Sequence, residues 1–175
     1  PVLDGDDQVM GTISRFHLLR PRRKQVVLVD HNEAAQSVPG LNQVEILEII
    51  DHHRLADIQT TQPIRVRNEP VGSTNTILTA MYQERGVVPS PKIAGLMAGA
   101  ILSDTVMFKS PTCTKRDIAM AERLARIAGV SLDEIGKELY AAGSNDSKSA
   151  EELFNSDYKQ FHIAEQNIGV SQITC

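Results

Sequence analysis

The chain has 175 residues, of which 41% are hydrophobic and 23% are charged, a composition typical of a soluble globular domain with one substantial core. Its formal net charge is −4, which argues against a general electrostatic attraction to nucleic acid or to anionic lipid. The sequence opens with no signal-peptide pattern, contains no apolar run long enough to span a bilayer, and has only two cysteines. These features predict a cytoplasmic protein without a nucleic-acid or membrane partner.

The first 24 residues contain few signals of regular structure. The sequence begins at Pro1 without a methionine, and a polar, turn-like stretch follows at residues 4–7. Residues 11–20 are compatible with a short helix that Pro21 ends, and the basic run at 20–24 predicts a solvated loop. Because the opposite end, residues 168–175, looks like an unfinished strand, we expect a piece of a longer protein.

Two short apolar runs, at residues 25–29 and 44–50, each end in Asp-His. Such runs are typical of parallel strands buried on both faces, and open parallel sheets bind ligands at the carboxyl edge. There, carboxylates and imidazoles suit a divalent metal ion, whereas a single Asp after a strand is commonly only a helix N-cap. The repetition favours a metal site. The residues at this edge are Asp30, His31, Asp51, His52 and His53.

The connection between these strands is short and contains a turn signal, but a short helix that crosses over between them is a candidate. Residues 64–67 then alternate apolar and charged side chains, which predicts a half-exposed edge strand. The Gly-Ser-Thr segment at 72–74 begins a predicted helix that reaches about residue 85. Its exposed N–H groups suit a phosphate, although ordinary N-capping by Ser73 explains the same residues.

Three further helices are predicted at 92–102, 115–128 and 132–142. Asp104 follows the first of them, where its carboxylate needs either solvent or a partner such as a metal ion. The polar segment 144–149 predicts a linker and 149–155 a helix. The alternation that follows predicts a β-hairpin, with a new domain beginning near residue 155.

Four segments carry a more specific signal. They are Asp30-His31-Asn32-Glu33, Asp51-His52-His53-Arg54, the stretch 103–114 with Ser-Asp-Thr and Phe-Lys-Ser-Pro-Thr-Cys-Thr, and Asp157-Tyr158-Lys159-Gln160-Phe161. In this order they resemble the family II inorganic pyrophosphatases, which belong to the DHH phosphoesterase superfamily. The resemblance implies an α/β fold in which helices flank a parallel sheet, as in the DHH phosphoesterase N-terminal domain, with the start of a second domain at the C-terminus.

The resemblance also implies roles for individual residues. Asp30 matches a carboxylate that bridges two metal ions, and His52 and Asp104 match ligands of the second ion. His53 matches a group that contacts substrate, and Lys159 matches a lysine that holds a phosphate. The implied enzyme is a metal-dependent inorganic diphosphatase, which hydrolyses the phosphoric anhydride pyrophosphate to two phosphates by two-metal activation of water. Its implied cofactors are Mn2+ or Co2+, with Mg2+ accompanying the substrate.

Asn32 and Asp51 are candidates for the shell that supports these ligands. Two family motifs are missing: the first-strand His-x-x-x-Asp-x-Asp pattern and the C-terminal Ser-Arg-Lys-Lys type motif. Some members of the family carry a regulatory insert of CBS domains that binds adenine nucleotides, and the first eleven residues look like the end of such an insert.

We therefore divide the chain into a tail of a missing upstream or inserted region at 1–11, a catalytic core at 12–154, and the truncated start of a C-terminal substrate-binding domain at 155–175. We expect this piece to be inactive alone, and a homodimer is a candidate assembly.

Two alternatives stay open. One is another DHH phosphodiesterase that acts on oligonucleotides or cyclic dinucleotides, although the Gly-Gly-Gly-His motif typical of such enzymes is absent. The second is a non-catalytic metal-binding module. The segments Asp30-His31-Asn32 and 109–114 favour the pyrophosphatase, and intact carboxylates at Asp30 and Asp104 argue against a module that has lost its chemistry.

Overall fold

The computed structural model describes residues 1–19, 23–143, 149–156 and 158–171. Its N-terminal part holds an antiparallel pair of short strands, β1 (Val2–Leu3) and β2 (Val9–Gly11), followed by helix α1 (Arg15–Leu19). The helix confirms the prediction made for residues 11–20. In the predicted basic loop, residues 20–22 lie outside the described residues.

Three parallel strands form the main sheet of the described residues. They are β3 (Gln25–Val29), β4 (Glu45–Asp51) and β5 (Arg65–Asn68), in the order β3-β4-β5. The position of β5 at an edge confirms the prediction from its alternating sequence. With the helices described below, this parallel sheet confirms the α/β class.

The candidate crossover helix is not found in the connection between β3 and β4. This connection contains only two short 3₁₀ turns, at Ala34–Gln36 and Leu41–Gln43. The left-handed Gly40, with φ at 92°, begins the second turn and follows Pro39. Pro39 and Gly40 interrupt the fifteen residues between the two strands, so no uninterrupted stretch as long as a typical helix remains for a crossover.

Between residues 74 and 143 four helices follow the sheet: α2 (Thr74–Glu84), α3 (Pro91–Asp104), α4 (Lys115–Ala128) and α5 (Leu132–Gly143). Ser73, Ser90 and Thr114 are the N-caps of the first three, and each side chain accepts a hydrogen bond from a backbone N–H of the first turn. The main core lies between α3 and α4, where small and aliphatic side chains permit close packing. Its buried members are Ala94, Met97, Ala98, Ile101, Ala121 and Leu124.

A second apolar cluster packs α2 onto the sheet and consists of Ile50, Val71, Ile77 and Met81. This packing is centred on β4, whereas β3 forms an edge of the sheet. As a result, Val27 and Val29 remain 46% and 40% exposed, and the expectation that β3 is buried on both faces is wrong for the described chain.

The C-terminal part contains helix α6 (Ala150–Ser156) and an antiparallel hairpin, β6 (Lys159–Ile163) and β7 (Gln166–Val170). Both residues of its two-residue turn have positive φ, as hairpin turns favour. These elements confirm the predicted helix and hairpin, while residues 144–148 of the predicted linker, Asp157 and residues 172–175 lie outside the described residues. None of the helices described is long and apolar enough to cross a membrane.

Candidate metal centre

The carboxyl ends of β3 and β4 bring together Asp30, His52 and His53. One potential ligand atom from each of these side chains lies within 4.8 Å of the others. Nε2 of His52 is 3.6 Å from Oδ1 of Asp30. Two donors that bind one metal at about 2.0–2.2 Å are at most about 4.4 Å apart, so this pair fits a shared ion. Carboxylate and imidazole groups therefore lie together at this edge of the sheet, as the sequence predicts.

The backbone orients the His52 ring. Its Nδ1 lies 2.9 Å from the carbonyl oxygen of Val71. Because a carbonyl oxygen can only accept, Nδ1 carries the proton and donates, and Nε2 of the neutral ring keeps a free lone pair. That lone pair is on the side of the ring that faces Asp30, which is the arrangement a metal-binding histidine requires.

His53 is held in the same tautomer by a carboxylate. Its Nδ1 lies 2.8 Å from Oδ1 of the fully buried Asp51, and the same oxygen accepts the backbone N–H groups of His52 and His53. Asn32 donates to the second oxygen of Asp51 at 2.5 Å. Burial alone would raise the pKa of Asp51, but the hydrogen bonds from Asn32 and His53 outweigh it and lower that pKa. Asp51 is therefore an ionised acceptor that fixes the ring of His53.

Asp30 adopts an uncommon backbone conformation, with φ at 68°. Among non-glycine residues, Asp and Asn are the ones that tolerate this left-handed region best. The hydroxyl of Thr74, the first residue of α2, donates to Oδ1 of Asp30 at 2.7 Å. The start of α2 and the end of β3 together hold the carboxylate beside His52.

Asp104, the last residue of α3, approaches the same edge of the sheet. It lies outside the cluster of Asp30, His52 and His53, but its Oδ2 accepts a hydrogen bond of 2.6 Å from the Ser73 hydroxyl. Loss of hydration raises the pKa of Asp104, and the neighbouring Asp30 carboxylate raises it further, against the opposing effect of Ser73. Two carboxylates that repel each other in this way are stabilised by a cation between them.

Two other predicted residues are not among the three side chains of this cluster. His31 follows Asp30, but its Nδ1 contacts the carbonyl oxygen of Val29 at 3.0 Å, and the residue is outside the cluster. Lys159 is the first residue of β6, and its match to a phosphate-holding lysine stays a prediction.

The segment after Asp104 is strained. Val106, Met107 and Phe108 have consecutive positive φ values of 49°, 52° and 64°. A β-branched residue such as Val106 is unfavourable in this conformation, and such strain is found mainly near functional sites. No sequence signal predicts it, because none of the three residues is Gly, Asn or Asp.

Sequence reasoning missed how Ser73 and Thr74 act. Ser73 is the helix N-cap that the sequence predicts, since its Oγ accepts from the N–H of Asn75. The same hydroxyl also donates to Asp104, and Thr74 donates to Asp30, over sequence separations of 31 and 44 residues. The Ser-Thr pair at a helix start was the available signal, but only the fold identifies its partners.

Two family descriptions match this chain. The DHH family, N-terminal domain, matches residues 7–101, and the DHHA2 domain matches residues 137–175. Because the first match covers more than half of the chain and contains the Asp-His-His cluster, the chain belongs to the DHH family.

Within that family the chain is similar to inorganic pyrophosphatases. It is 52% identical over 174 residues to a cobalt-dependent inorganic pyrophosphatase of Clostridium perfringens, a match that covers 99% of this chain and 32% of the relative. It is 48% identical over 149 residues to a manganese-dependent inorganic pyrophosphatase of Bacillus subtilis, covering 85% of this chain and 48% of the relative.

A crystal structure from Methanococcus jannaschii, described provisionally as a family II inorganic pyrophosphatase, has the same fold. It matches with a TM-score of 0.71 and 38% identity, over 87% of this chain and 53% of that chain. The chain thus spans about a third to a half of the length of these relatives.

Proposed function

We propose that the protein to which this chain belongs hydrolyses pyrophosphate to two phosphates, with Mn2+ or Co2+ bound at the cluster and Mg2+ accompanying the substrate. One observation carries the proposal. Nε2 of His52, which keeps a free lone pair, lies 3.6 Å from Oδ1 of Asp30 at the carboxyl edge of a parallel sheet. The relatives described as cobalt- or manganese-dependent pyrophosphatases support both the substrate and the choice of metal. When bound, the metal ions lower the pKa of water and neutralise charge that develops on phosphoryl oxygens.

The residues of this chain fit that chemistry. Asp30 is the proposed bridging ligand, and His52 and Asp104 are proposed ligands of the second ion. A carboxylate-imidazole set suits Mn2+ and Co2+, and the charge repulsion between Asp30 and Asp104 favours a cation there.

His53 and Lys159 are the proposed substrate contacts. The His53 side chain is 52% exposed, and Asp51 fixes its Nδ1–H. Its Nε2 is therefore the atom left for a substrate contact, and it would donate to a phosphate oxygen only when the ring carries a second proton. Lys159 would supply a positive charge from the second domain.

The division into a tail at 1–11, a core at 12–154 and a second domain from 155 onward is likewise a proposal. The DHHA2 match supports a second unit near the C-terminus, although it begins inside α5.

A CBS-domain insert with an adenine nucleotide, a homodimer and a cytoplasmic location are further proposals. The C. perfringens relative leaves room for an insert because it is the longer protein: 174 matched residues cover only 32% of it, whereas 149 cover 48% of the B. subtilis protein.

The test is a comparison of substrates on the full-length protein, meaning the longest natural polypeptide that contains this sequence. With Mn2+ and Mg2+ present, we expect phosphate release from pyrophosphate and no cleavage of a cyclic dinucleotide. Cleavage of the dinucleotide without pyrophosphate hydrolysis would contradict the substrate assignment while leaving the family intact. Running the 175-residue chain in parallel tests the expectation that it is inactive alone.

A further inference from the structure

We infer that Asp117, near the start of α4, is a positioning residue for the metal centre and acts through the segment Val71-Gly72-Ser73-Thr74. The hydrogen bonds of Asp117 go to Gly72, Thr76 and Thr114 and to none of the proposed ligand side chains. The inference rests on the proposed metal centre, because it concerns how that centre holds its ligands.

The segment 71–74 holds three of the proposed ligands at once. The carbonyl oxygen of Val71 orients His52, the Ser73 hydroxyl donates to Asp104, and the Thr74 hydroxyl donates to Asp30. These contacts measure 2.9, 2.6 and 2.7 Å. A shift of this short piece of backbone would therefore move ligands that come from β3, β4 and α3.

Asp117 fixes the segment from both sides. Its Oδ2 accepts the backbone N–H of Gly72 at 2.9 Å, and its Oδ1 accepts the hydroxyl of Thr76 at 2.5 Å. Gly72 is the residue between Val71 and Ser73, and Thr76 lies in the first turn of α2. The Asp117 side chain is fully buried, so these hydrogen bonds form without competition from water.

Helix capping alone does not account for this arrangement. Asp117 also completes a capping box with Thr114, which requires only residues of α4 itself. The bonds to Gly72 and Thr76 span 45 and 41 residues and add nothing to that cap. They connect α4 to the segment that holds the ligands.

The packing around Gly72 leaves little freedom for the segment. A β-carbon there would lie 2.8 Å from Cγ2 of Thr105 and 3.0 Å from Oδ2 of Asp117. Thr105 is fully buried and directly follows the proposed ligand Asp104. The end of α3 and the start of α4 therefore converge on the same backbone position, and only glycine fits between them.

The test is a Co2+ titration of the full-length protein, read by calorimetry and by the visible absorption of bound Co2+. For Asp117→Ala we expect about 10- to 100-fold weaker binding, as for the loss of other groups that orient metal ligands, with a changed absorption spectrum. Asp117→Asn keeps an acceptor for Gly72 and a partner for Thr76, and should bind within about threefold of the wild type.

Leu124→Ala is the matched control, because it destabilises the same helix through a core cavity and should leave Co2+ affinity and spectrum unchanged. Wild-type affinity and spectrum in Asp117→Ala would overturn the inference. If that variant does not fold, Thr76→Val removes only the Oδ1 contact, and unchanged Co2+ binding in Thr76→Val would overturn it. Failure of the wild type to bind Co2+ would instead refute the proposed metal centre.

Discussion

At the scale of single residues, the backbone of Asp30 links strain to function. Its φ of 68° places an acidic side chain in a conformation that most residues avoid. Because Asp tolerates this region and also offers a carboxylate, one residue meets both requirements at the end of β3. The sequence predicts the carboxylate from the end of the apolar run, but not the left-handed backbone.

Replacement of Asp30 separates these two requirements. Asp30→Asn should keep the free energy of unfolding nearly unchanged, because Asn also tolerates positive φ and can accept from Thr74. Asp30→Ala should lower it by about 1 kcal/mol. Urea denaturation of the metal-free protein measures both values. Equal stability of the two variants would show that the backbone conformation does not determine the choice of residue.

At the scale of elements, the start of α2 is where the strands and helices of the site meet. Gly72→Ala should lower the free energy of unfolding by about 1–3 kcal/mol, because the new methyl group would overlap Thr105 and Asp117. Gly95→Ala is the control within α3, where the added β-carbon would lie 3.7 Å from Ala128. The control should be neutral or stabilising by up to about 1 kcal/mol. Urea unfolding that ranks the two variants in the opposite order would contradict this packing.

The buried Asp117 should also make the contact between α2 and α4 sensitive to acid. Burial alone would raise the pKa of Asp117, but hydrogen bonds from Thr114, Thr76 and Gly72 lower it in the folded state. A lowered folded-state pKa contributes stability that is fully present above the unfolded value of about 3.9 and is lost as pH falls through the folded pKa.

We therefore expect the wild type to lose more stability than Asp117→Asn between pH 6 and pH 3. Urea unfolding at the two pH values measures the difference, and the shared loss from other carboxylates cancels in the comparison. An identical loss in both proteins would mean that Asp117 does not titrate differently on folding.

Local sequence signals predict most of the elements. The local signals for helices at 72–85, 92–102 and 115–128 and the alternation at 64–67 identify α2, α3, α4 and the edge strand β5, because such signals depend on neighbouring residues. The left-handed residues 106–108 and the exposed face of β3 depend instead on tertiary packing. The bonds from Ser73, Thr74 and Asp117 cross 31 to 45 residues, which no local pattern encodes.

At the scale of the whole molecule, metal binding should be coupled to stability. A ligand that binds only the folded state at about 100 times its dissociation constant adds about 2.7 kcal/mol. We expect Mn2+ to raise the thermal midpoint of the full-length protein by several degrees and chelation to reverse the shift. Differential scanning calorimetry with Mn2+ and with EDTA measures the change, and an unaltered midpoint at saturating Mn2+ would contradict a folded-state metal site.

The most direct measurement of the central claim is calorimetric titration of the full-length protein with Mn2+, comparing wild type and His52→Asn. The variant can still donate to Val71 but loses the Nε2 that faces Asp30. We predict at least about tenfold weaker binding in His52→Asn. His17→Asn, which changes an exposed histidine of α1 outside the cluster, should bind as the wild type does. Equal Mn2+ affinity in wild type and His52→Asn would contradict the assignment of this cluster as the metal centre.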